Sequence, residues 1–543
     1  MNNSLFHLDV PHNEPMESYA PGSPARDRIK AELARQAATQ VEIPLIIGGK
    51  EVRTGKTGQV VMPCDHRHVL ATYHKATEKE VALAIAAALE AKKQWEALSW
   101  VERASITLKA ADLLSRKHRD LVNAATMLGQ AKNVHQAEID AACETIDFLR
   151  YNAYFASEIY SDQPRSGFDQ LNRMEYRPLE GFVFTVSPFN FTAIASNLNL
   201  SVALMGNTTV WKPATTSLLS NYYLMKVFQE AGLPDGVVNF VPGSGALIGE
   251  LAMKSRDLAG IHFTGSNATF NSLWKGVAAH VESYRTYPRL VGETGGKDFI
   301  FAHASADPAE VATAIVRGAF EYQGQKCSAA SRAYLPKSLW PQIRERVLDQ
   351  MSQLRQGDVR DFRNFVNAVV DEGSFDTIMG YVEQARSSNA AEILAGGKGD
   401  KSHGYFVQPT LIQALDPRFV TMEEEIFGPV MTVHVYEDRD YEATLKLCDE
   451  TSPYALTGAV FSRDRYAFVK ACQALRHAAG NFYINDKPTG AMVGLQPFGG
   501  ARGSGTNDKA GGPLNLQRWV SPRTIKETFV PATDFRYPFL AAE

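Results

Sequence analysis

Four short apolar runs separated by helical stretches constrain this chain most. FVFTVS (182–187), NTTVWK (207–212), GVVNFV (236–241) and GIHFTG (260–265) read as buried strands. Residues 193–204, 217–231 and 245–254 lie between them and carry helical periodicity. Strand, helix, strand at this spacing predicts a parallel sheet with helices on its faces. Sheets of this kind bind ligands at the carboxyl ends of their strands. At those ends the sequence places Ser187 to Asn190, Lys212, Pro242 to Gly245 and Thr264 to Ser266. A second α/β stretch runs from about 293 to 484 and includes DFIFAH (298–303) and GAVFS (458–462).

Around this frame the chain carries simpler signals. Residues 1–25 are Pro-rich and polar, which predicts an extended arm. Residues 81–98 and 104–128 repeat apolar positions at helical steps, and Thr77 with Glu80 has the pattern of a capping box. RWVSPRTIKETFVPA (518–532) reads as a strand with a polar tail, suited to pairing with a neighbour. The net charge is −4 and no long basic run occurs, which argues against nucleic acid or an anionic membrane as partner. No window reaches the roughly 18 apolar residues of a membrane span. The N-terminus has no apolar h-region, and its first Arg, Arg26, follows Asp9, Glu14 and Glu17. Neither a signal nor a transit peptide is expected, and a cytoplasmic location is inferred. The five cysteines are scattered, without CxxC or His/Cys ligand spacing. They imply a reducing compartment and no metal site.

Some residues offer chemistry. Cys327, in YQGQKCSAASR, sits in a polar loop just before a predicted strand. It is either a core thiol or a nucleophile; the adjacent Lys326 would favour the reactive thiolate. Glu293, in GETGG, is either a solvated loop carboxylate or a general base that activates water. Asn190, in SPFNF, either caps a helix or offers its amide to an oxyanion. Lys212, before Pro213, is either a surface lysine or a partner for dinucleotide hydroxyls or phosphate. Gly243, Gly245 and Gly249 imitate a dinucleotide fingerprint, but with one residue too many before the last glycine.

Taken together, SPFNF, WKPA, FTGS, GETGGK, GQKCSA and EEIFGPV (424–430) resemble the aldehyde dehydrogenase superfamily, in its order and over nearly the whole chain. Within it, FTGSNATFNSLWK (263–275), YPRLVGETGGKDFIFAH (287–303), INDKPTGAMVGLQPFGGARGSGTNDKAGG (484–512) and SPRTIKET (521–528) resemble the Δ1-pyrroline-5-carboxylate dehydrogenases, in their monofunctional form. Phe270 stands where many superfamily members carry Gly.

The resemblance implies an α/β aldehyde dehydrogenase fold. It would comprise a Rossmann-like NAD-binding domain (1–153, 178–292 and 485–519), an α/β catalytic domain (293–484) and a small β oligomerisation flap (154–177 and 520–543). It implies a small-molecule substrate, oxidation of L-glutamate γ-semialdehyde to L-glutamate, and a homodimer or higher homo-oligomer. Cys327 would form a thiohemiacetal and then a thioester. Asn190 and the Cys327 N–H would hold the oxyanion, and Glu293 would activate water. Lys212 and Glu425 would hold ribose hydroxyls, Gly265 and Ser266 the pyrophosphate, and Phe427 would flank the nicotinamide ribose, with Ser187 and Pro188 beside them. For the substrate, Gly490 and Ala491 would bind the α-carboxylate through backbone N–H groups. Ser328 would add a hydroxyl, Phe191 and Phe498 would clamp the aliphatic middle, and Glu144 would lie near the anchor loop. Some relatives carry Ser at position 491. Thr215 stands where many NAD-using relatives carry a Glu, so NAD is expected and NADP stays possible. A eukaryotic source would place the enzyme in the mitochondrial matrix. The alternatives are a dehydrogenase of another carboxylated semialdehyde, such as succinate semialdehyde, and a catalytically silent relative.

Overall fold

The computed structural model describes residues 6–543. Phe182–Val186, Thr209–Lys212, Val238–Phe240, Leu258–Thr264 and Arg289–Glu293 form the parallel part of a seven-stranded sheet. Two short antiparallel strands, Leu45–Ile47 and Lys50–Val52, complete one edge. These strands read as unbroken apolar runs because helices cover both faces. On one face Glu78–Trp95, Gly245–Lys254 and Asn267–Ala279 pack against Phe182, Phe184 and Phe263. On the other, Thr192–Leu204 and Leu218–Ala231 pack against Trp211 and Phe240, among others.

The second sheet also has seven strands. Asp298–Ala302 lies near its centre, between Ala330–Pro336 and Thr457–Phe461. It is parallel apart from its edge strand Ala391–Ala395. Chain direction therefore brings the carboxyl end of Arg289–Glu293 in the first sheet directly into the start of the second, through the glycine turn Thr294–Lys297. Gln170–Pro178 and Val520–Thr528 pair along nine residues as a separate two-stranded ribbon, mostly exposed. The final strand thus finds its first partner within its own chain.

Other expectations meet the structure in detail. Glu80 accepts the Thr77 N–H at 3.0 Å, forming the capping box. The helical stretch at 104–128 falls in one rod, Trp100–Leu113 and Arg119–Gln130, joined through a π-helical turn at Leu114–His118. Residues 6–23 form an arm without helix or strand, and the helix Pro24–Ala37 follows at once, capped by Ser23. The part of the expected arm at 1–5 lies outside the described residues. Among the described residues, no helix is long and apolar enough to cross a membrane.

Candidate active site

Cys327 owes its position to an unusual turn. After the helix Pro308–Phe320, three consecutive residues take left-handed backbone: Tyr322 (φ 50°), Gln323 (φ 56°) and Gly324 (φ 66°). A non-glycine residue held there costs on the order of 1–3 kcal/mol and persists only where its surroundings over-determine it. Tyr322 is fully buried. The Gln323 side chain donates to the carbonyls of Ala131 (3.0 Å) and Ala368 (2.8 Å) and accepts from the Asn367 N–H (2.9 Å). At Gly324 a Cβ would stand 2.2 Å from the Gly428 carbonyl oxygen, so glycine is required. Gln325 accepts the Val370 N–H at 2.9 Å, and Cys327 follows in a tight turn closed by Ala329 N–H on the Lys326 carbonyl. From beneath, Gly296 approaches so closely that a Cβ there would lie 2.5 Å from the Cys327 carbonyl oxygen.

The thiol stands apart from Cys64, Cys143 and Cys448, which are buried in the core. Its charge environment reverses the expectation drawn from Lys326. Lys326 turns away and pairs with Glu321 at 3.1 Å. Burial, followed by the carboxylates of Glu293, Asp298, Glu425 and Glu144, pushes the Cys327 thiol well above the usual range. The neutral thiol is the resting form, and deprotonation needs a base nearby.

Asn190 is buried, and its amide donates to the Gln325 carbonyl at 3.0 Å, two residues before Cys327. It does not cap the following helix Thr192–Leu204. The Asp140 carboxylate does so, accepting from the N–H groups of Thr192 (3.0 Å) and Ala193 (2.8 Å). A primary amide has two N–H groups, so one is left for a ligand. Glu293 ends its strand with its carbonyl accepting the Gly265 N–H. Burial raises its carboxyl to about 8, against the lowering effect of Lys509 and with a further push from Asp508. A carboxyl that titrates near neutral pH is suited to act as a base.

Two cavities meet at Cys327. Cys327 lines both, so the two open onto the same sulfur. Glu293 faces the first and Asn190 the second. Ser328, Gly490, Ala491, Phe191, Phe498 and Glu144 all line the first cavity. Ser328 and Thr489 share a hydroxyl–hydroxyl hydrogen bond of 2.8 Å, tying the nucleophile loop to the loop at 489–494. Glu144, which by position alone could be a surface residue, ends the π-helical segment Glu138–Glu144 and faces the cavity. Sequence reasoning missed Lys132, whose buried ammonium pairs with Asp140 at 2.8 Å and sits 3.9 Å from the Phe191 ring centre. It also missed Lys487, which donates to the Thr489 carbonyl at 2.9 Å. Lys487 lies inside the stretch 484–512 yet offered no role by its residue type, and it lines the first cavity. Lys132 lies outside the motifs, and only the fold brings it against Phe191.

Lys212, Gly265, Ser266, Glu425 and Phe427 line the second cavity, together with Ser187 and Pro188. Lys212 ends its strand largely buried, and burial lowers its ammonium from the usual lysine range. Ser266 caps the helix Asn267–Ala279 and Ser244 caps Gly245–Lys254, so two helix N-termini open on the cleft. Glu425 accepts the Gly296 N–H at 2.9 Å, and burial raises it to about 7. A Cβ at Gly295 would stand 1.9 Å from that carboxylate, so the glycine makes room for it. Phe427 has a left-handed backbone (φ 58°) and packs edge-on against Phe189. A cation, a carboxylate, two helix N-termini and apolar walls match the phosphates, hydroxyls and rings of a dinucleotide. The residues present therefore fit NAD.

The sequence model of the Aldehyde dehydrogenase family matches residues 51–525. The Δ1-pyrroline-5-carboxylate dehydrogenase of Dictyostelium discoideum, named mitochondrial, is 54% identical over 537 residues, covering 98% of this chain and 96% of its own. The human mitochondrial enzyme of the same name is 50% identical, covering 97% and 94%. A crystal structure of the Δ-pyrroline-5-carboxylate dehydrogenase from Mycobacterium tuberculosis bound with NAD superimposes with TM-score 0.96 at 50% identity, covering 100% of both chains. On this similarity and this fold, the chain belongs to the aldehyde dehydrogenase family.

Proposed function

We propose that this chain is an NAD-dependent aldehyde dehydrogenase that oxidises L-glutamate γ-semialdehyde, the open form of Δ1-pyrroline-5-carboxylate, to L-glutamate in proline catabolism. The observation that carries the reading is the place of Cys327 at the junction of two cavities, with Asn190 and Glu293 on either side. The Cys327 sulfur bonds to the aldehyde carbon as its thiol proton passes to the Glu293 carboxylate, which returns it to solvent before the second half-reaction. Asn190 and the Cys327 N–H hold the resulting oxyanion; such donors are each worth on the order of a hundredfold or more in rate. Lys212 and Glu425 would hold NAD by its hydroxyls, the N-terminus of Asn267–Ala279 would receive its pyrophosphate, and NAD when bound would supply the hydride acceptor. Cys327 is then a thioester. Glu293 takes a proton from water, the hydroxide adds to the thioester carbon, and the carboxylic acid leaves as the thiol is restored.

The substrate reading rests on the far end of the first cavity. Backbone N–H groups around Gly490 and Ala491 receive the α-carboxylate, beside the Ser328 hydroxyl. Phe191 and Phe498 enclose the methylene chain, and Glu144 is the carboxylate nearest in type for an ammonium group. The open outer edges of the ribbon Gln170–Pro178 and Val520–Thr528 support a homodimer or larger assembly. We place the NAD-binding unit on the first sheet, the catalytic unit on the second and the oligomerisation flap on the ribbon. The location we infer is the cytoplasm, or the mitochondrial matrix in a eukaryotic source.

The test is a steady-state comparison of Δ1-pyrroline-5-carboxylate with succinate semialdehyde, each with NAD and NADP. The proposal expects the highest kcat/KM for the first substrate with NAD. Equal or greater efficiency on succinate semialdehyde would overturn the substrate assignment. NAD binding without turnover of either would mark a silent relative.

A further inference from the structure

The N-terminal arm reaches the substrate end of the site from the opposite end of the chain. Asn13 makes three side-chain hydrogen bonds. Its amide N–H groups donate to the Val493 carbonyl (2.9 Å) and to the Asp147 carboxylate (2.8 Å), and its carbonyl accepts from the Tyr151 hydroxyl (3.2 Å). Asp147 and Tyr151 belong to the helix Thr145–Ser161, which follows Glu144. Val493 lies two residues beyond Ala491. One side chain therefore joins the arm, the helix behind the cavity and the loop at 489–494.

The arm is held firmly enough to serve as an anchor. Glu14 accepts from Ser115 (2.6 Å), Arg119 (2.7 Å) and Arg150 (2.6 Å), and its N–H donates to Asp147 at 2.7 Å. Tyr19 is buried, and its hydroxyl donates to Glu138 at 2.7 Å. The Glu17 N–H donates to the same carboxylate at 2.8 Å. These contacts lie on both sides of the exposed Pro15 and Met16, so the chain crosses the surface on fixed points.

The loop has ties of its own at its start, where Lys487 donates to the Thr489 carbonyl (2.9 Å), and in its middle, where the Met492 carbonyl accepts from the N–H groups of Leu495 (3.1 Å) and Gln496 (2.9 Å). The Val493 carbonyl is held from the arm. Gly490 (φ 99°) and Gly494 (φ 80°) flank Ala491–Val493 with left-handed backbone. Glycine at both ends lets the intervening peptides rotate at little steric cost. Val493 packs its side chain with Phe148, Tyr151 and Ala193, and Gln496 accepts the Met492 N–H at 3.0 Å. Neither contact fixes the peptide plane on the carbonyl side of Val493; the Asn13 bond does. A loop that binds an anion through backbone N–H groups depends on peptide orientation more than on side chains.

We infer that Asn13 is a positioning residue: the arm clamps the loop at 489–494 so that its N–H groups face the substrate's carboxylate, and thereby sets the preference for carboxylated over neutral aldehydes. This rests on the assignment of Gly490 and Ala491 as the carboxylate anchor. The test is Asn13→Ala, with kcat and KM measured on Δ1-pyrroline-5-carboxylate and on pentanal, which has no carboxylate. Losing one such tether is expected to raise KM for the carboxylated substrate about tenfold, with kcat kept within about twofold. Efficiency on pentanal should stay within about twofold of wild type. Tyr151→Phe, which removes one bond to Asn13 and leaves the arm in place, should move the same ratio in the same direction by less, and serves if Asn13→Ala does not fold. Equal losses on both aldehydes, or an unchanged ratio in Asn13→Ala, would overturn the clamp. A wild-type enzyme without preference for the carboxylated aldehyde would instead remove the anchor assignment, and the clamp with it.

Discussion

On the proposed mechanism Glu293 can be titrated apart from the redox step by following ester hydrolysis, which would use Cys327 and Glu293 without any cofactor. Burial puts the Glu293 carboxyl at about 8. A carboxylate at its ordinary value near 4.3 would be fully ionised, and the rate flat, from about pH 6 upward. With the raised value, roughly 9% is ionised at pH 7 and roughly 91% at pH 9, a rise of about tenfold. The sign follows from the role: the base works ionised, so activity grows as pH climbs through the raised value. The assay is hydrolysis of an activated aryl ester at saturation, where breakdown of the acyl-enzyme limits. In that state Cys327 is acylated and its own titration does not enter. Two neighbours give opposite shifts. Asp508 raises Glu293 and Lys509 lowers it. Asp508→Asn should therefore move the rising limb to lower pH and Lys509→Met to higher pH, the latter also breaking the Lys509 bonds to the Gly480 and Gly499 carbonyls. A flat profile between pH 6 and 9, a limb retained in Glu293→Gln, or shifts of the same sign in both neighbours would refute the reasoning.

Asn190→Ala should lower kcat by about 100- to 1000-fold, the usual loss of one oxyanion donor, with NAD affinity unchanged in a fluorescence titration. Gly324→Ala places a Cβ 2.2 Å from the Gly428 carbonyl at φ 66°. It should cost about 2–4 kcal/mol in denaturant unfolding and misplace Cys327, with activity falling more than NAD binding. Thr215→Glu should weaken NADP use relative to NAD, because a carboxylate there repels a 2′-phosphate; an unchanged cofactor ratio would show that this position does not face the adenosine ribose.

The parallel sheet was legible because its strands are doubly covered and therefore uniformly apolar, with turn residues between them. Ser187, Lys212 and Ser266, read at its strand ends, line the second cavity. The loop carrying Cys327 was legible as a polar loop with the motif GQKCSA, but its backbone conformation was not. Tyr322 and Gln323 have no preference for left-handed backbone, and what holds them there is a set of bonds to residues 131, 367 and 368. Lys326 misled for a related reason: adjacency in sequence says nothing about direction, and its ammonium turns to Glu321. Asn190 had the residue type and place of a helix cap, yet Asp140, fifty residues earlier, takes that role. The hairpin Thr57–Met62 with Asp65–His74 and the helix Pro24–Ala37 went unread, since their patterns are short and mixed. Contacts that depend on long-range packing, such as Lys132 with Phe191 or Asn13 with Val493, leave no local trace.

The central claim is that one sulfur carries the substrate's carbon between the two half-reactions. Intact-protein and peptide mass spectrometry of enzyme acid-quenched during turnover of Δ1-pyrroline-5-carboxylate with NAD measures this directly. The mass of a glutamyl thioester should appear on the peptide containing Cys327, accumulate further in Glu293→Gln and be absent from Cys327→Ala, which still binds NAD. An adduct on another residue, or turnover that persists in Cys327→Ala, would contradict the account.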